Sequence, residues 1–188
     1  MAQVFKPHAN IIAPLSILAV VLVVAVILVT LYGLAFSPLS TGEALHHEQP
    51  IPFSHRLHVG EVGIDCRYCH SDAEVAPGAG MPSTETCMSC HSQVWRSSEV
   101  LQPVRDSWNN DTPIHWTRVH DLPDYVRFDH SAHVNNGVGC EACHGQVEAM
   151  DGARQTVSLN MSWCLDCHRH TREAKESTLL EDCSICHQ

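Results

Sequence analysis

The sequence has few aromatic residues, few basic residues and a single long apolar run. Phe, Trp and Tyr make up 6% of its 188 residues. Beyond the first forty positions, large apolar side chains are too few for an ordinary layered core. Lys and Arg number 11 against 21 Asp and Glu, giving a formal net charge of −10. This balance argues against nucleic-acid binding and suits docking to a basic partner face.

What the sequence has in abundance is one cysteine motif. Its ten cysteines all fall in five Cys-x-x-Cys-His motifs. The cysteine pairs are Cys66 and Cys69, Cys87 and Cys90, Cys140 and Cys143, Cys164 and Cys167, and Cys183 and Cys186, and the closing histidines are His70, His91, His144, His168 and His187. In c-type haem attachment two thioether bonds hold the porphyrin, and the adjacent imidazole reaches iron from the same side. We therefore predict five covalent haems, with the closing histidines as proximal iron ligands.

Other cysteine chemistries explain the motifs less well. Zinc ribbons, redox pairs and disulfide frameworks all use Cys-x-x-Cys, but none requires a histidine directly after the second cysteine. At the start of a helical turn, both cysteines and the histidine lie on one face, at i, i+3 and i+4. We expect the porphyrins to supply the missing core, with short helices and long irregular loops around them. The predicted fold is a mostly irregular and α-helical multihaem domain behind one transmembrane helix.

The apolar run at residues 15–36 predicts that helix. Its 22 residues contain no charge, and at about 1.5 Å per residue they span about 33 Å. A cleaved signal peptide is the competing interpretation, but its apolar region would be shorter, so we favour a retained signal anchor. Lys6 precedes the run and Glu43 and Glu48 follow it, which indicates a cytoplasmic N-terminus. Covalent haem attachment, which takes place outside the cytoplasm, places the haem domain on the periplasmic side.

The predicted organisation has four segments. Residues 1–14 form a cytoplasmic N-terminus, 15–36 the anchor, 37–52 a polar connector and 53–188 the haem domain. His46 and His47 in the connector lie outside any repeated pattern, so we expect them to be solvated.

The haem domain contains an internal repeat. Residues 53–91 and 128–168 each begin with Phe-x-His-x-x-His and continue with two haem motifs, while the fifth motif, at 183–187, is an addition. Two histidines at i and i+3 of a helical turn can direct their imidazoles at different irons. The predicted distal ligands are His55, His58, His130 and His133.

These repeated elements resemble those of the cytochrome c7 and c3 type multihaem proteins. In that family the first histidine of the element ligates the haem of the next motif, and the second ligates the haem after it. The resemblance implies the pairs His55 with His70, His58 with His91, His130 with His144, and His133 with His168.

One distal ligand is then missing, and residues 113–128 offer candidates. We choose His120, because a short Leu-Pro-Asp turn ties it to the second Phe-x-His-x-x-His element. The competitors are His115, His170, Met81 and Met161. A methionine ligand would raise the potential of that haem relative to two histidines.

The segment from Trp116 to His133, with residues 160–169, is similar to the pentahaem cytochrome subunit of alternative complex III, a bacterial quinol:electron acceptor oxidoreductase. The resemblance implies an electron-transfer subunit with no catalytic residues of its own. It also implies partners: a large iron–sulfur, molybdopterin-enzyme-like subunit, polytopic quinol-binding membrane subunits, and a downstream cytochrome c or copper protein.

Two other functions remain open. A stand-alone membrane-anchored quinol dehydrogenase would have its haem motifs close behind the anchor, whereas thirty residues separate Phe36 from Cys66 here. A catalytic multihaem reductase needs an open iron position. The chain has ten histidines outside the motifs, enough to close all five sites, so electron relay is the favoured function.

Overall fold

A computed structural model of the chain describes residues 6–171 and 178–187. Residues 1–5 of the predicted cytoplasmic segment and residues 172–177 of the predicted haem domain lie outside the described residues. The chain divides into two compact units, residues 1–41 and 42–188.

The first unit consists mainly of one apolar helix. Helix α1, Ala9–Ala35, has 27 residues, and its mean hydropathy of 3.2 makes it long and apolar enough to cross a membrane. It begins before the uncharged run identified from the sequence because Ile11 and Ile12 are also helical, and it continues through Pro14. A short helix α2, Pro38–Thr41, follows.

The second unit is built from short helices joined by irregular segments. Its α-helices are α3 Cys66–Cys69, α4 Thr84–His91, α5 Gln102–Asn110, α6 His130–Val134, α7 Glu141–His144, α8 Met161–His170 and α9 Cys183–Cys186. Arg56–Glu61 is a π-helical turn, and Glu99–Leu101, Val147–Ala149 and Thr178–Glu181 are 3₁₀ turns. Within residues 6–171 and 178–187 the β structure amounts to one antiparallel bridge between Val126 and His187. The predicted fold class, a mostly irregular and helical domain, is confirmed.

Few apolar side chains are buried in this unit. Ile51, Leu101 and Val104 form the one cluster of buried side chains found among the described residues, and Trp116 packs against it. Met150 is buried elsewhere. So small an apolar core cannot by itself offset the conformational entropy of ordering a domain of this length. A further source of apolar contact is needed, which is the role expected of the porphyrins.

The two repeat units dock on each other reciprocally. The backbone N–H of Arg56 donates to the carbonyl of Met150 at 2.8 Å, and that of Ser131 donates to the carbonyl of Ala76 at 3.3 Å. Arg56 and Ser131 are equivalent residues directly after the first histidine of each Phe-x-His-x-x-His element. Each acceptor lies six residues after the first motif histidine of the other unit.

A second pair of contacts repeats this relation. Asn135 Nδ2 donates to the carbonyl of Glu74 at 3.0 Å. The equivalent residue of the first repeat unit (residues 53–91) is Gly60. It lies so close to the carbonyl of Glu148 that a Cβ would collide with it. The histidine-bearing element of each unit is therefore positioned by the loop of the other.

Candidate haem-binding sites

Side-chain caps start four of the five helices that carry the motifs. Asp65, Ser83, Asn160 and Asp182 each accept a hydrogen bond from a backbone N–H in the first turn of α3, α4, α8 and α9. Such residues satisfy amide donors that have no partner inside the helix. The caps fix where each helical turn begins, so the motif cysteines share one face. The third motif, at α7, has no side-chain cap.

Each motif combines one exposed cysteine with one that is half-buried. The exposed cysteines are Cys66, Cys90, Cys140, Cys167 and Cys183, and the half-buried ones are Cys69, Cys87, Cys143, Cys164 and Cys186. The sequence pattern treats the two alike, but positions i and i+3 of a helix point about 60° apart. In the second motif, burial raises the pKa of the Cys87 thiol, whereas Cys90 faces outward and its Sγ accepts a hydrogen bond from Ser89 Oγ at 3.8 Å. That Cys90 forms a thioether bond stays a prediction.

Three motif histidines are oriented by backbone carbonyls. His70 Nδ1 lies 2.8 Å from the carbonyl of Gly80, and His91 Nδ1 lies 3.0 Å from that of Val94. His168 Nδ1 lies 2.9 Å from the carbonyl of Leu180. A carbonyl can only accept, so each Nδ1 carries the proton and Nε2 is left as the metal-binding nitrogen.

Three histidines of the Phe-x-His-x-x-His elements face motif histidines across a nearly constant gap. The ring centroids are 6.1 Å apart for His58 and His91, 6.3 Å for His130 and His144, and 6.2 Å for His133 and His168. A metal–imidazole bond is about 2 Å long and each centroid lies roughly 1 Å beyond its nitrogen, so two imidazoles that held one metal ion would have centroids up to about 6 Å apart. The spacing therefore fits an iron between the two rings of each pair.

The second histidine of each element is held locally. His58 Nδ1 lies 2.8 Å from the carbonyl of Ser54, and His133 Nδ1 lies 2.7 Å from that of Asp129. In both cases the acceptor is four residues earlier in the chain. The helical turn itself therefore orients the ring through Nδ1, which leaves Nε2 as the metal-binding nitrogen.

A phenylalanine packs against both histidines of each element. Phe53 stacks on His58 at 4.3 Å and meets His55 edge-on at 4.9 Å. Phe128 stacks on His133 at 4.7 Å and meets His130 edge-on at 4.8 Å. Sequence reasoning identified the repeated element but gave its aromatic residue no role. The signal available was the recurrence of Phe two residues before the first histidine.

The first histidine of the Phe-x-His-x-x-His element has different hydrogen bonding in the two repeat units. His130 Nδ1 lies 2.8 Å from the carbonyl of Pro77 in the other unit. His55 Nδ1 is buried and has no hydrogen-bond partner among the described residues. Burial, followed by the neighbouring His70 and His58, lowers the pKa of His55. His55 is thus a neutral imidazole beside the first motif histidine.

His120 lies beside the third motif histidine. Its Nε2 is 3.3 Å from His144 Nδ1, and the two rings are almost perpendicular with centroids 4.4 Å apart. Burial, followed by His120, His130 and His70, lowers the pKa of His144 to about 4. Burial, followed by His130, lowers the pKa of His120. Both imidazoles are therefore neutral near pH 7.

The competing candidates for the fifth distal position are exposed. Met81 and Met161 expose 58% and 62% of their surface, and His115 is also exposed. His170 Nδ1 lies 2.6 Å from the carbonyl of Asp166, which is the same i−4 arrangement as in His58. The ring that faces His187, at 5.9 Å and 26°, is that of Tyr125. In the connector, His46 is exposed and its ring lies against Gly152.

Contacts between motifs show which of them are neighbours. Tyr68 Oη in the first motif lies 3.0 Å from Ser89 Oγ in the second. Burial, and after it the neighbouring Cys140 thiol, raises the pKa of Cys66. Cys66 of the first motif therefore lies near Cys140 of the third motif.

Two further pKa shifts relate the third, fourth and fifth motifs. Burial, followed by Cys167 and Cys164, raises the pKa of Cys143. Burial, followed by Cys186, raises the pKa of Cys164. Each of these thiols therefore lies near a thiol of another motif: Cys66 of the first near the third, Cys143 of the third near the fourth, and Cys164 of the fourth near the fifth.

The donor set fits c-type haem. Each motif offers two free thiols and a histidine, and three motif histidines face a second imidazole at the separation an iron requires. Comparison with known families agrees with this geometry. Residues 51–103 and 126–188 match the family model described as cytochrome c7 and related cytochrome c. This chain belongs to that family.

As a cytochrome c7-type protein, the chain is a haem-binding, multihaem electron-transfer protein. The two matched segments contain the two repeat units, and the second also contains the fifth motif. A curated relative from Nitratidesulfovibrio vulgaris is the multihaem cytochrome c subunit of a menaquinone reductase. The two sequences are 32% identical over 165 residues, covering 75% of this chain and 77% of the relative.

Proposed function

We propose that this cytochrome carries five covalently attached c-type haems and relays electrons within a membrane-bound quinol:electron acceptor oxidoreductase complex. The observation that carries the proposal is the set of five attachment motifs, three of which have a second imidazole centred 6.1–6.3 Å from the motif histidine. Bound haem would supply one-electron oxidation and reduction at iron. The chain itself would hold each haem through the cysteines and histidines of its motif and of the facing elements.

The cysteines of each motif would form the thioether bonds, and the motif histidine would be the proximal ligand. The proposed distal ligands are His55, His58, His130 and His133. That His120 supplies the fifth distal ligand stays a prediction, and its contact with His144 does not favour it. His115, His170, Met81 and Met161 remain the other candidates for this position.

The anchor and the charge of the chain indicate its surroundings. We infer a single-pass protein of the cytoplasmic membrane, with a cytoplasmic N-terminus and a periplasmic haem domain. One apolar helix cannot enclose a lipid-soluble quinol, so quinol oxidation would belong to polytopic partner subunits. An iron–sulfur, molybdopterin-enzyme-like subunit completes an assembly of the alternative complex III type. The net charge of −10 supports docking of a cytochrome c or copper protein with a basic face.

A second candidate function reverses the direction of electron flow. The relative from Nitratidesulfovibrio vulgaris belongs to a menaquinone reductase, so its complex reduces a quinone. By the same similarity, this chain would carry electrons from a periplasmic donor toward the membrane. The attachment residues and the set of motifs would be the same in both cases.

Purification of the full chain from membranes in mild detergent tests the proposal. Mass spectrometry should count five haems, and polytopic membrane proteins should co-purify. Adding a menaquinol analogue to the oxidised complex should reduce the haems if the complex oxidises quinol. Reduction by a periplasmic donor that is followed by menaquinone reduction would favour the second candidate.

Two outcomes would contradict the complex. A chain that purifies alone and is rapidly reduced by quinol would instead be a stand-alone quinol dehydrogenase. Carbon monoxide binding to the reduced haems would reveal an open iron position and favour a catalytic reductase.

A further inference from the structure

One motif histidine is oriented by a side chain. His70, His91 and His168 each direct Nδ1 at a backbone carbonyl. His144 directs Nδ1 at Nε2 of His120, 3.3 Å away. The two rings are nearly perpendicular, and the two nitrogens are close enough to share an N–H···N hydrogen bond.

We propose that His120 is the positioning residue of His144 and that it acts as a hydrogen-bond acceptor. The Nδ1–H of His144 donates to Nε2 of His120, which keeps His144 Nε2 free to bind iron. This inference rests on the proposed function, because it assumes that the third motif carries a haem.

The geometry separates this role from ligation of the iron that His144 would hold. His144 already has a proposed partner at its iron in His130, whose ring centroid lies 6.3 Å from that of His144 with the two rings parallel within 5°. The 4.4 Å between the centroids of His120 and His144 is too short for a metal with two bonds of about 2 Å. The Nε2 of His120 is also occupied by the contact with His144 Nδ1.

The acceptor matters because it affects the electron density of the ligand. A hydrogen bond from Nδ1–H to a good acceptor raises the basicity of the coordinating nitrogen. A more basic ligand stabilises ferric relative to ferrous iron. Removing the His120 acceptor should therefore raise the reduction potential of the third haem and leave its two axial imidazoles in place.

The variants His120→Phe and His120→Gln test the proposal in the full-length protein. Phe keeps a planar ring but cannot accept a hydrogen bond, whereas the amide oxygen of Gln can. Loss of an outer hydrogen bond of this kind costs about tenfold or more in metal affinity or activity. A tenfold loss that falls on the ferric state alone corresponds to about 59 mV in a one-electron couple. We expect one potential to rise by about this amount in His120→Phe and to return toward the wild-type value in His120→Gln.

Two further variants make the result specific. His115→Phe changes an exposed histidine of the same segment and should leave every potential unchanged. His130→Met changes the proposed distal ligand of the third haem and identifies its signal in the electron paramagnetic resonance spectrum. The haem shifted by His120→Phe should be the one altered by His130→Met.

A measurement on the wild-type protein does not depend on whether the variants fold. In the fully reduced, diamagnetic protein labelled with 15N-histidine, scalar coupling should connect Nδ1 of His144 with Nε2 of His120. Lack of that coupling would overturn the proposal.

The variants can overturn it in two further ways. A high-spin haem in His120→Phe would make His120 an axial ligand, and unchanged potentials would deny it a positioning role. If mass spectrometry finds no haem on the third motif of the wild-type chain, the proposed function fails for that motif before the role of His120 is tested.

Discussion

The two repeat units, residues 53–91 and 128–168, agree in the second histidine of each Phe-x-His-x-x-His element and differ in the first. His58 and His133 are both oriented by a carbonyl four residues earlier, so a local sequence pattern is enough to place them. His130 takes its acceptor from Pro77 in the other unit, whereas His55 has none among the described residues. The two repeat units therefore share the hydrogen bond that a nearby carbonyl provides. They differ in the hydrogen bond that depends on a tertiary contact.

The motif histidines that face the first histidines diverge in the same way. His70 is held by the carbonyl of Gly80 and His144 by the side chain of His120. Two sites with the same sequence pattern thus have different outer hydrogen bonds, and such bonds tune the properties of a metal centre. We expect the haems of the first and third motifs to differ in potential although both are predicted to have two imidazole ligands.

Deleting whole attachment motifs should have the largest effect. Replacing both cysteines of the third motif, with Cys140→Ala and Cys143→Ala, should remove one haem and destabilise both units. The third motif adjoins the first through Cys66 and the fourth through Cys164, so its loss affects two neighbouring motifs. Mass spectrometry and thermal unfolding measure the two effects.

The matched control deletes the fifth motif. With Cys183→Ala and Cys186→Ala, one haem should be lost while the other four keep their spectra. Equal destabilisation by the two deletions would show that the neighbours of a motif have no bearing on the stability of the domain.

Removing a second histidine should have the next largest effect, and it should be equal in the two units. His58→Ala and His133→Ala should each convert one low-spin haem to high-spin, because each removes the imidazole opposite a motif histidine. The affected haems should be those of His91 and His168, each the second motif of its unit. Electron paramagnetic resonance and carbon monoxide binding, at one per protein, measure the change. If either substitution altered the haem of the nearer motif, the pairing would be wrong.

Part of this architecture could be predicted from the sequence. The scarcity of aromatic residues, and of large apolar residues beyond the first forty positions, together with five haem motifs predicted short helices without an ordinary layered core, which is the fold class found. The resemblance paired His58 with His91 and His133 with His168, and the structure places these rings 6.1 and 6.2 Å apart. That they ligate iron stays a prediction.

The rest depends on contacts between residues far apart in the sequence. Nothing in the local pattern around Arg56 indicates that its N–H donates to Met150. Likewise, the short turn after His120 pointed to a well-fixed residue but not to its contact with His144. That Cys66 of the first motif lies near Cys140 of the third also follows from tertiary contacts alone.

Replacing the aromatic residue of each element should have a smaller effect that stays within one unit. Phe53→Leu removes the ring stacked on His58 at 4.3 Å, and Phe128→Leu removes the one stacked on His133 at 4.7 Å. An aromatic pair contributes about 0.5–1.5 kcal/mol beyond its burial, so all haems should stay low-spin. The resonance signals of the two haems in the substituted unit should shift, because both histidines of its element lose the same support. Signals that moved equally in both units would indicate a general loosening of the domain instead of a local role.

The smallest effects should come from the reciprocal contact between the two repeat units. At one equivalent position of this contact the first unit has Gly60 and the second has Asn135. Gly60→Ala directs a Cβ at the carbonyl of Glu148 and should lower the free energy of unfolding by about 1–3 kcal/mol, the usual cost of overpacking. Asn135→Ala removes the 3.0 Å hydrogen bond to the carbonyl of Glu74 and should cost about 0.5–1.5 kcal/mol. Gly78→Ala is the control, since its Cβ would meet no atom within 4 Å. Denaturant titration of the three variants measures the differences. If Gly60→Ala were as stable as Gly78→Ala, the Glu148 loop would be free to move away, and the two units would not constrain each other as their paired contacts indicate.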